Sequence, residues 1–230
     1  MINGEAFWEE SEQVERFAAR APDLRLKALA ESWNRPSEIR ALDLGCAAGR
    51  NAVYLAALGC GVWAVDLSRA MVARTRARLA EILGAEEAER RVRVGPMDDL
   101  AWAPAGSFDL VVALGILHCA QTGAEWSRAV SEVARVLRPG AQLLVSAFTP
   151  ETDLAGTGIR PAAGEAHVYE GFPGGRRSYL LDAGGLDAGL ARHGFEAAAA
   201  TETTRRSEGA GRRVSANGLY VLRPSLPGAG

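Results

Sequence analysis

Cysteine and histidine are scarce in this sequence, with three of each among 230 residues. Cys46, Cys60 and Cys119 are odd in number and show no C-x-x-C spacing, which argues against a disulfide framework and a zinc site and reads as reduced, buried thiols; no metal is expected. Neither sign of charge dominates: 26 Lys and Arg against 28 Asp and Glu leave a formal net charge of −2, mixed along the chain. Counterion-driven binding needs a basic footprint, so nucleic acid is a poor partner. Long hydrophobic runs are missing too. No stretch approaches the ~20 apolar residues that span a bilayer, and the acidic opening Met1-Ile-Asn-Gly-Glu-Ala lacks the basic-then-apolar pattern of a signal peptide. A cytoplasmic protein without a membrane partner is expected. No sustained heptad declares an oligomer, and that question stays open.

The apolar residues that are present fall into a repeating pattern, read as one domain over 1–230. Residues 1–36 read as a helical cover, with Val14, Phe17, Ala18 and Ala21 at helical intervals and Leu24, Leu26, Leu29 and Ala30 after a break at Pro22. In the core, 37–149, strands expected at 39–44, 61–66, 91–95, 108–114 and 142–148 alternate with helices at about 50–58, 68–83 and 123–137. Such alternation implies βαβ crossovers and an α/β fold: a three-layer, doubly wound, mostly parallel seven-stranded sheet with helices on both faces. Ser68 is placed as a helix N-cap, Gly84 as a stop, and Arg138-Pro139-Gly140 as the break before the fifth strand. Residues 150–180 break the rhythm and read as a binding loop or lid. A last helix near 182–193 and strands near 196–203 and 213–222 complete 181–223, and 224–230 reads as a loose tail.

The segment Asp43-Leu-Gly-Cys-Ala-Ala-Gly-Arg-Asn51 joins the first strand to a helix, so Gly45 and Gly49 stand where the backbone turns sharply and a ligand can come close. Asp66 ends the second strand 21 residues beyond Gly45, the placement of a carboxylate that holds ribose hydroxyls. A dinucleotide fingerprint needs a small residue at its third glycine, and Arg50 occupies that place, filling the diphosphate space. A cation there suits a ligand with a free carboxylate, and S-adenosylmethionine carries adenosine at one end and an amino-acid carboxylate at the other. No G-K-[ST] follows the turn, which removes a Walker-type loop.

From Ala41 to about Phe148 the chain resembles a class I, Rossmann-like S-adenosylmethionine-dependent methyltransferase. Leu44-Gly-Cys-Ala-Ala-Gly-Arg-Asn-Ala-Val-Tyr-Leu-Ala56 is similar to the same stretch in tellurite-resistance-type and related bacterial small-molecule members. The resemblance implies a methionine-end loop at Gly45, Ala47, Gly49 and Arg50, a ribose site at Asp66 with Leu67 and Met71, an adenine frame at Met97 and Asp98, and a segment beside the sulfonium from Ala113 and Leu114 to Ile116. It also implies transfer of a methyl group to a small-molecule acceptor, with S-adenosylhomocysteine as product. Ala47 replaces a common glycine, and no left-handed backbone is expected of it. Pro96 stands where many relatives carry an acid, so contact with the adenine amino group falls to Asp98, to backbone or to nothing.

Several residues carry two readings. Asp43 orients the helix or contacts the amino group; Met71 and Met97 fill the core or line an adenine slot. His118 is a general base near the transferred methyl or a structural histidine, and His167 with Tyr169 lines the acceptor pocket or sits on a cover. Phe7 and Trp8 form an aromatic lid over the cofactor or anchor the first helix. Arg74, Arg76 and Arg78 read as the solvated face of a helix. Two rival functions are a non-catalytic S-adenosylmethionine- or nucleotide-binding protein on this fold, and a dinucleotide oxidoreductase.

Overall fold

Ala41, Leu42, Asp43 and Leu44 are buried in succession in the computed structural model, as a strand covered on both faces must be. The structure describes residues 4–154, 158–172, 175–209 and 211–224. They form a mixed α/β fold with a mostly parallel central sheet flanked by helices, in two compact units.

The first unit comprises Met1–Met97 with Leu110–Val112. It begins with helices α1 (Gly4–Glu9), α2 (Ser11–Ala18) and α3 (Leu24–Ala30), followed by β1 (Arg40–Leu44), α4 (Arg50–Ala57), β2 (Gly61–Asp66), α5 (Arg69–Leu83), α6 (Ala85–Arg91) and β3 (Val92–Val94). β2 lies parallel to both β1 and β3, and β1 pairs in parallel with residues 110–112 of β4 (Phe108–Leu114). Ser68 caps α5 by accepting the Met71 amide, and Gly84 ends it with φ +85°.

The second unit comprises Asp98–Asp109 and Ala113–Gly230. It carries α7 (Gly123–Val136), β5 (Leu137–Phe148), β6 (Arg160–Pro161), β7 (Val168–Glu170), β8 (Ser178–Tyr179), α8 (Ala183–Ala191), β9 (Phe195–Ala197), β10 (Glu202–Glu208) and β11 (Gly211–Leu222). β11 runs antiparallel to β5, β9 and β10. Seven strands lie along the sheet in the order β10-β11-β5-β4-β1-β2-β3, with β9 pairing beside β11, and β6, β7 and β8 make a small separate sheet.

Some expectations change. Residues 85–91, to which the pattern assigned no helix, form α6, whose acidic start and basic end complement the helix dipole. The strand expected at 196–203 divides into β9 and the start of β10 around the alanine run, and β5 begins at Leu137, passing through Pro139 and Gly140 without a break. The segment 150–180 contains the three-stranded sheet, so it is not structureless. Cys119 is half-buried, whereas Cys46 and Cys60 are buried, and none of the three is in a disulfide. The arginine series is not one solvated face, because residues two apart on a helix point to different sides. Arg76 donates twice to the Val92 carbonyl, Arg78 to the Ala48 carbonyl at 2.7 Å, and Arg74 pairs with Glu15. Of the expected loose tail, 225–230 lies outside the described residues. No helix among the described residues is long and apolar enough to cross a membrane.

Candidate functional site

The loop after β1 is built by backbone that only small residues adopt. Gly45 (φ +71°), Ala47 (φ +46°) and Gly49 (φ +80°) all lie in the left-handed region. Ala47 thus departs from the expectation for it. Its conformation is held from both sides: its amide donates to Asp66 Oδ2 at 2.8 Å, and its carbonyl accepts from the buried Thr75 hydroxyl at 2.7 Å. Gly49 cannot be replaced as easily, since an added Cβ would lie 2.9 Å from both Thr75 Oγ1 and Cγ2.

Asp66, at the end of β2, faces this loop. Its Oδ1 accepts the Ser68 amide at 2.9 Å and its Oδ2 the Ala47 amide, which leaves lone pairs on both oxygens for hydroxyl donors. Burial raises its pKa while those amides oppose the rise. Leu67, next in sequence, is 53% exposed. Asp43 is buried beneath the loop, where its Oδ2 accepts the Ala52 amide at 3.0 Å. Gly49 gives α4 no side-chain cap, and Asp43 satisfies that first-turn donor instead. Burial pushes the Asp43 carboxyl up to about 7, against the opposing charge of Arg50.

Arg50 opens α4 and reaches the N-terminal segment, donating to the Ala21 carbonyl at 3.2 Å and lying 3.9 Å from Asp23 Oδ2. Asp23 also caps α3 by accepting the Arg25 amide, and its own amide donates to buried Asn51 Oδ1 at 3.0 Å. Neighbouring Arg25 and Arg50 hold the Asp23 carboxyl below its usual range against burial. Trp8 and Phe17 pack on a cluster of Val14, Ala18, Ala48 and Met71, with Ala47 at its edge. Phe7, Trp8 and Phe17 meet edge to face. Glu9 accepts the amides of Arg69 and Ala70, and the Trp8 carbonyl accepts the Ser68 hydroxyl. Met97 is buried. Sequence reasoning singled out neither Thr75, Asn51, Asp23 nor Glu9. No local motif signals Thr75, Asn51 or Glu9, because each acts on a backbone group 28 or more residues away, whereas Asp23 carries a local signal as the N-cap of α3.

The second unit carries the other singled-out residues. Asp98 accepts from Arg128 Nε and Nη2, both on Oδ2. Ala113 is buried and Leu114 half-buried at the end of β4, and the Gly115 amide donates to the Ser146 carbonyl at 2.7 Å. His118 is buried, stacked on Phe148 at 4.1 Å between ring centroids, and its Nδ1 accepts the Phe148 amide at 3.3 Å. That bond selects the neutral tautomer with its proton on Nε2. Burial, then Arg213 and Arg176, push the His118 pKa down to about 3. His167 is exposed, with φ +64°, and packs edgewise on Tyr179; the His167 carbonyl accepts the Leu180 amide, and the Tyr179 amide donates to Ala120. Tyr179 of β8 and the adjoining Leu180 therefore link the two histidine-bearing segments. Among the described residues no group of His, Cys, Asp and Glu could hold a metal ion.

Residues 42–145 match the family described as a methyltransferase domain. No curated protein matches the sequence. Among solved structures, a 1,6-didemethyltoxoflavin-N1-methyltransferase of Burkholderia thailandensis is 20% identical, with a TM-score of 0.62 over 96% of this chain and 83% of that one. An S-adenosylmethionine-dependent methyltransferase of Mesorhizobium loti is 20% identical, with a TM-score of 0.64 over 89% and 99%. The [4+2]-cyclase SpnF is 16% identical, with a TM-score of 0.66 over 96% and 95%. The chain is thus similar in fold to S-adenosylmethionine-dependent methyltransferases, and its residues 42–145 match a methyltransferase domain.

Proposed function

We propose that the protein transfers a methyl group from S-adenosylmethionine to a small-molecule acceptor and releases S-adenosylhomocysteine. The observation that carries this reading is the Asp66 carboxylate bonded to the Ala47 amide, because it joins the left-handed loop after β1 to a ribose-type acid at the end of β2. The donor set fits the cofactor: Asp66 retains lone pairs for ribose hydroxyls, exposed Leu67 offers an apolar surface beside it, and Arg50 supplies a cation for a carboxylate. Met97 and Asp98 are assigned to the adenine end, and Ala113 and Leu114 to the methyl end. Trp8 is assigned to a lid that also anchors α1.

Bound there, S-adenosylmethionine supplies a methyl carbon on a sulfonium, which an acceptor lone pair takes in line as the carbon–sulfur bond breaks and its electrons return to sulfur. The protein's part is positioning, which in favourable systems removes ~7–11 kcal/mol of barrier. His118 acts as a positioning donor through Nε2–H, not as a base, since its Nδ1 is already occupied. His167 lines the acceptor side in the segment 150–180. A small acceptor accords with the lack of a basic stripe and with the 1,6-didemethyltoxoflavin bound to the Burkholderia enzyme. The same reading keeps the protein cytoplasmic.

The test is calorimetric titration with S-adenosylmethionine, S-adenosylhomocysteine and NAD. Micromolar binding of the first two, roughly −8 kcal/mol, with none of NAD, is the expected result. Binding of NAD alone would overturn the reading. The cyclase of similar fold shows that one scaffold hosts other chemistry, so methyl transfer itself is checked by the appearance of S-adenosylhomocysteine on turnover.

A further inference from the structure

Thr75 is fully buried in α5, yet its hydroxyl leaves that helix. A helical threonine can return its hydroxyl to a carbonyl of its own helix, three or four residues back. Here the hydroxyl donates instead to the Ala47 carbonyl at 2.7 Å, 28 residues earlier in the chain. Three residues further along α5, Arg78 donates to the next carbonyl of the same loop, that of Ala48, at 2.7 Å. One face of one helix therefore fixes two successive carbonyls of the loop after β1.

What they fix is a backbone conformation that alanine resists. Ala47 has φ +46°, where its Cβ crowds the following carbonyl oxygen, and such strain persists only where surrounding groups over-determine it. Two bonds do so: Thr75 holds the Ala47 carbonyl, and Asp66 Oδ2 accepts the Ala47 amide at 2.8 Å. If Ala47 relaxed toward the right-handed region, its amide would turn away from Asp66, so the Thr75 bond keeps that amide aimed. Asp66 in turn is oriented by the Ala47 amide on Oδ2 and the Ser68 amide on Oδ1 at 2.9 Å, and it is only half-buried. The Thr75 side chain is itself packed under Gly49, where an added Cβ would lie 2.9 Å from its Oγ1 and Cγ2.

We propose that Thr75 is a positioning residue for ribose recognition: through Ala47 it sets the direction of the Asp66 carboxylate, and hence the preference for a ligand with free ribose hydroxyls. Being fully buried, it acts without touching the ligand. The inference rests on the methyltransferase reading, and every group in it lies in the first unit. A site held to working geometry by a locked supporting shell is lost when that shell loosens, even with the contacting groups intact.

The test is calorimetric titration of the full chain with S-adenosylhomocysteine, adenosine and 2′,3′-dideoxyadenosine, the two nucleosides differing only in the ribose hydroxyls. The native protein should bind S-adenosylhomocysteine and prefer adenosine to its dideoxy analogue. Thr75→Val, which keeps the shape and removes the hydroxyl, should shrink that preference about tenfold, the range of one hydrogen bond to a charged group, and leave affinity for dideoxyadenosine unchanged. Thr75→Ser, which keeps the hydroxyl, should keep the preference. Adding Ala47→Gly to Thr75→Val should restore part of it, because glycine takes positive φ without strain. Should Thr75→Val fail to fold, Thr75→Ala carries the same expectations. A preference unchanged without the hydroxyl, an equal loss for both nucleosides, a loss in Thr75→Ser as large as in Thr75→Val, or no recovery with Ala47→Gly would overturn the positioning role alone. Failure of the native protein to bind S-adenosylhomocysteine would remove the methyltransferase reading, and this role with it.

Discussion

Asp43 Oδ2 accepts the Ala52 amide at 3.0 Å, so the last buried acid of β1 caps the helix that follows the glycine loop. With its pKa at about 7 against 3.8 when unfolded, the folded protein keeps a proton that the unfolded chain loses. Stability from this group therefore falls as pH rises from about 4 to 7 and is level above that. Asp43→Asn can still accept the amide but does not titrate. Denaturant unfolding at pH 5 and pH 8 should show the variant gaining on the native protein with pH, by up to about 3 kcal/mol. A difference independent of pH would disprove the buried, protonated acid.

Gly49→Ala combines a left-handed alanine with a clash on Thr75. A loss of about 2–4 kcal/mol in unfolding free energy is expected. Adding Thr75→Ser removes the methyl group and should return part of it, a coupling that independent sites would not show.

Arg50→Ala should weaken S-adenosylmethionine about 10- to 100-fold, the range of a charged hydrogen bond, in the same calorimetric titration. Affinity equal to that of the native protein would mean that Arg50 serves only Ala21 and Asp23.

Trp8→Ala should cost about 2–3 kcal/mol of stability by emptying the space over Met71. If Trp8 is also a lid, release of S-adenosylhomocysteine in stopped flow should quicken severalfold with little change in association. Unchanged release would leave it an anchor alone.

The parts of the site that local chemistry specifies were legible in the sequence: the turn at Gly45 and Gly49, the acid at Asp66, and the Ser68 cap. Residues whose role depends on distant partners were not. Asn51 looks like an ordinary helix residue until the Asp23 amide arrives to use its oxygen. The Ala47 backbone angle follows from Asp66 and Thr75 together, and neither lies in its own segment. The arginines of α5 misled for a related reason: long, flexible side chains find carbonyls that no pattern of charge announces.

Glu9 caps α5 from the other end of the unit, accepting amides 60 and 61 residues further along the chain. The order in which the pieces leave the ribosome is therefore the reverse of the order in which they become useful. α1 and α2 emerge first, yet they have no surface to settle on until α5 has been made. During synthesis the opening helices must wait, with the apolar side of Trp8 and Phe17 uncovered, for a partner some sixty residues behind. Contacts so separated in sequence slow folding and lengthen the exposure of apolar surface.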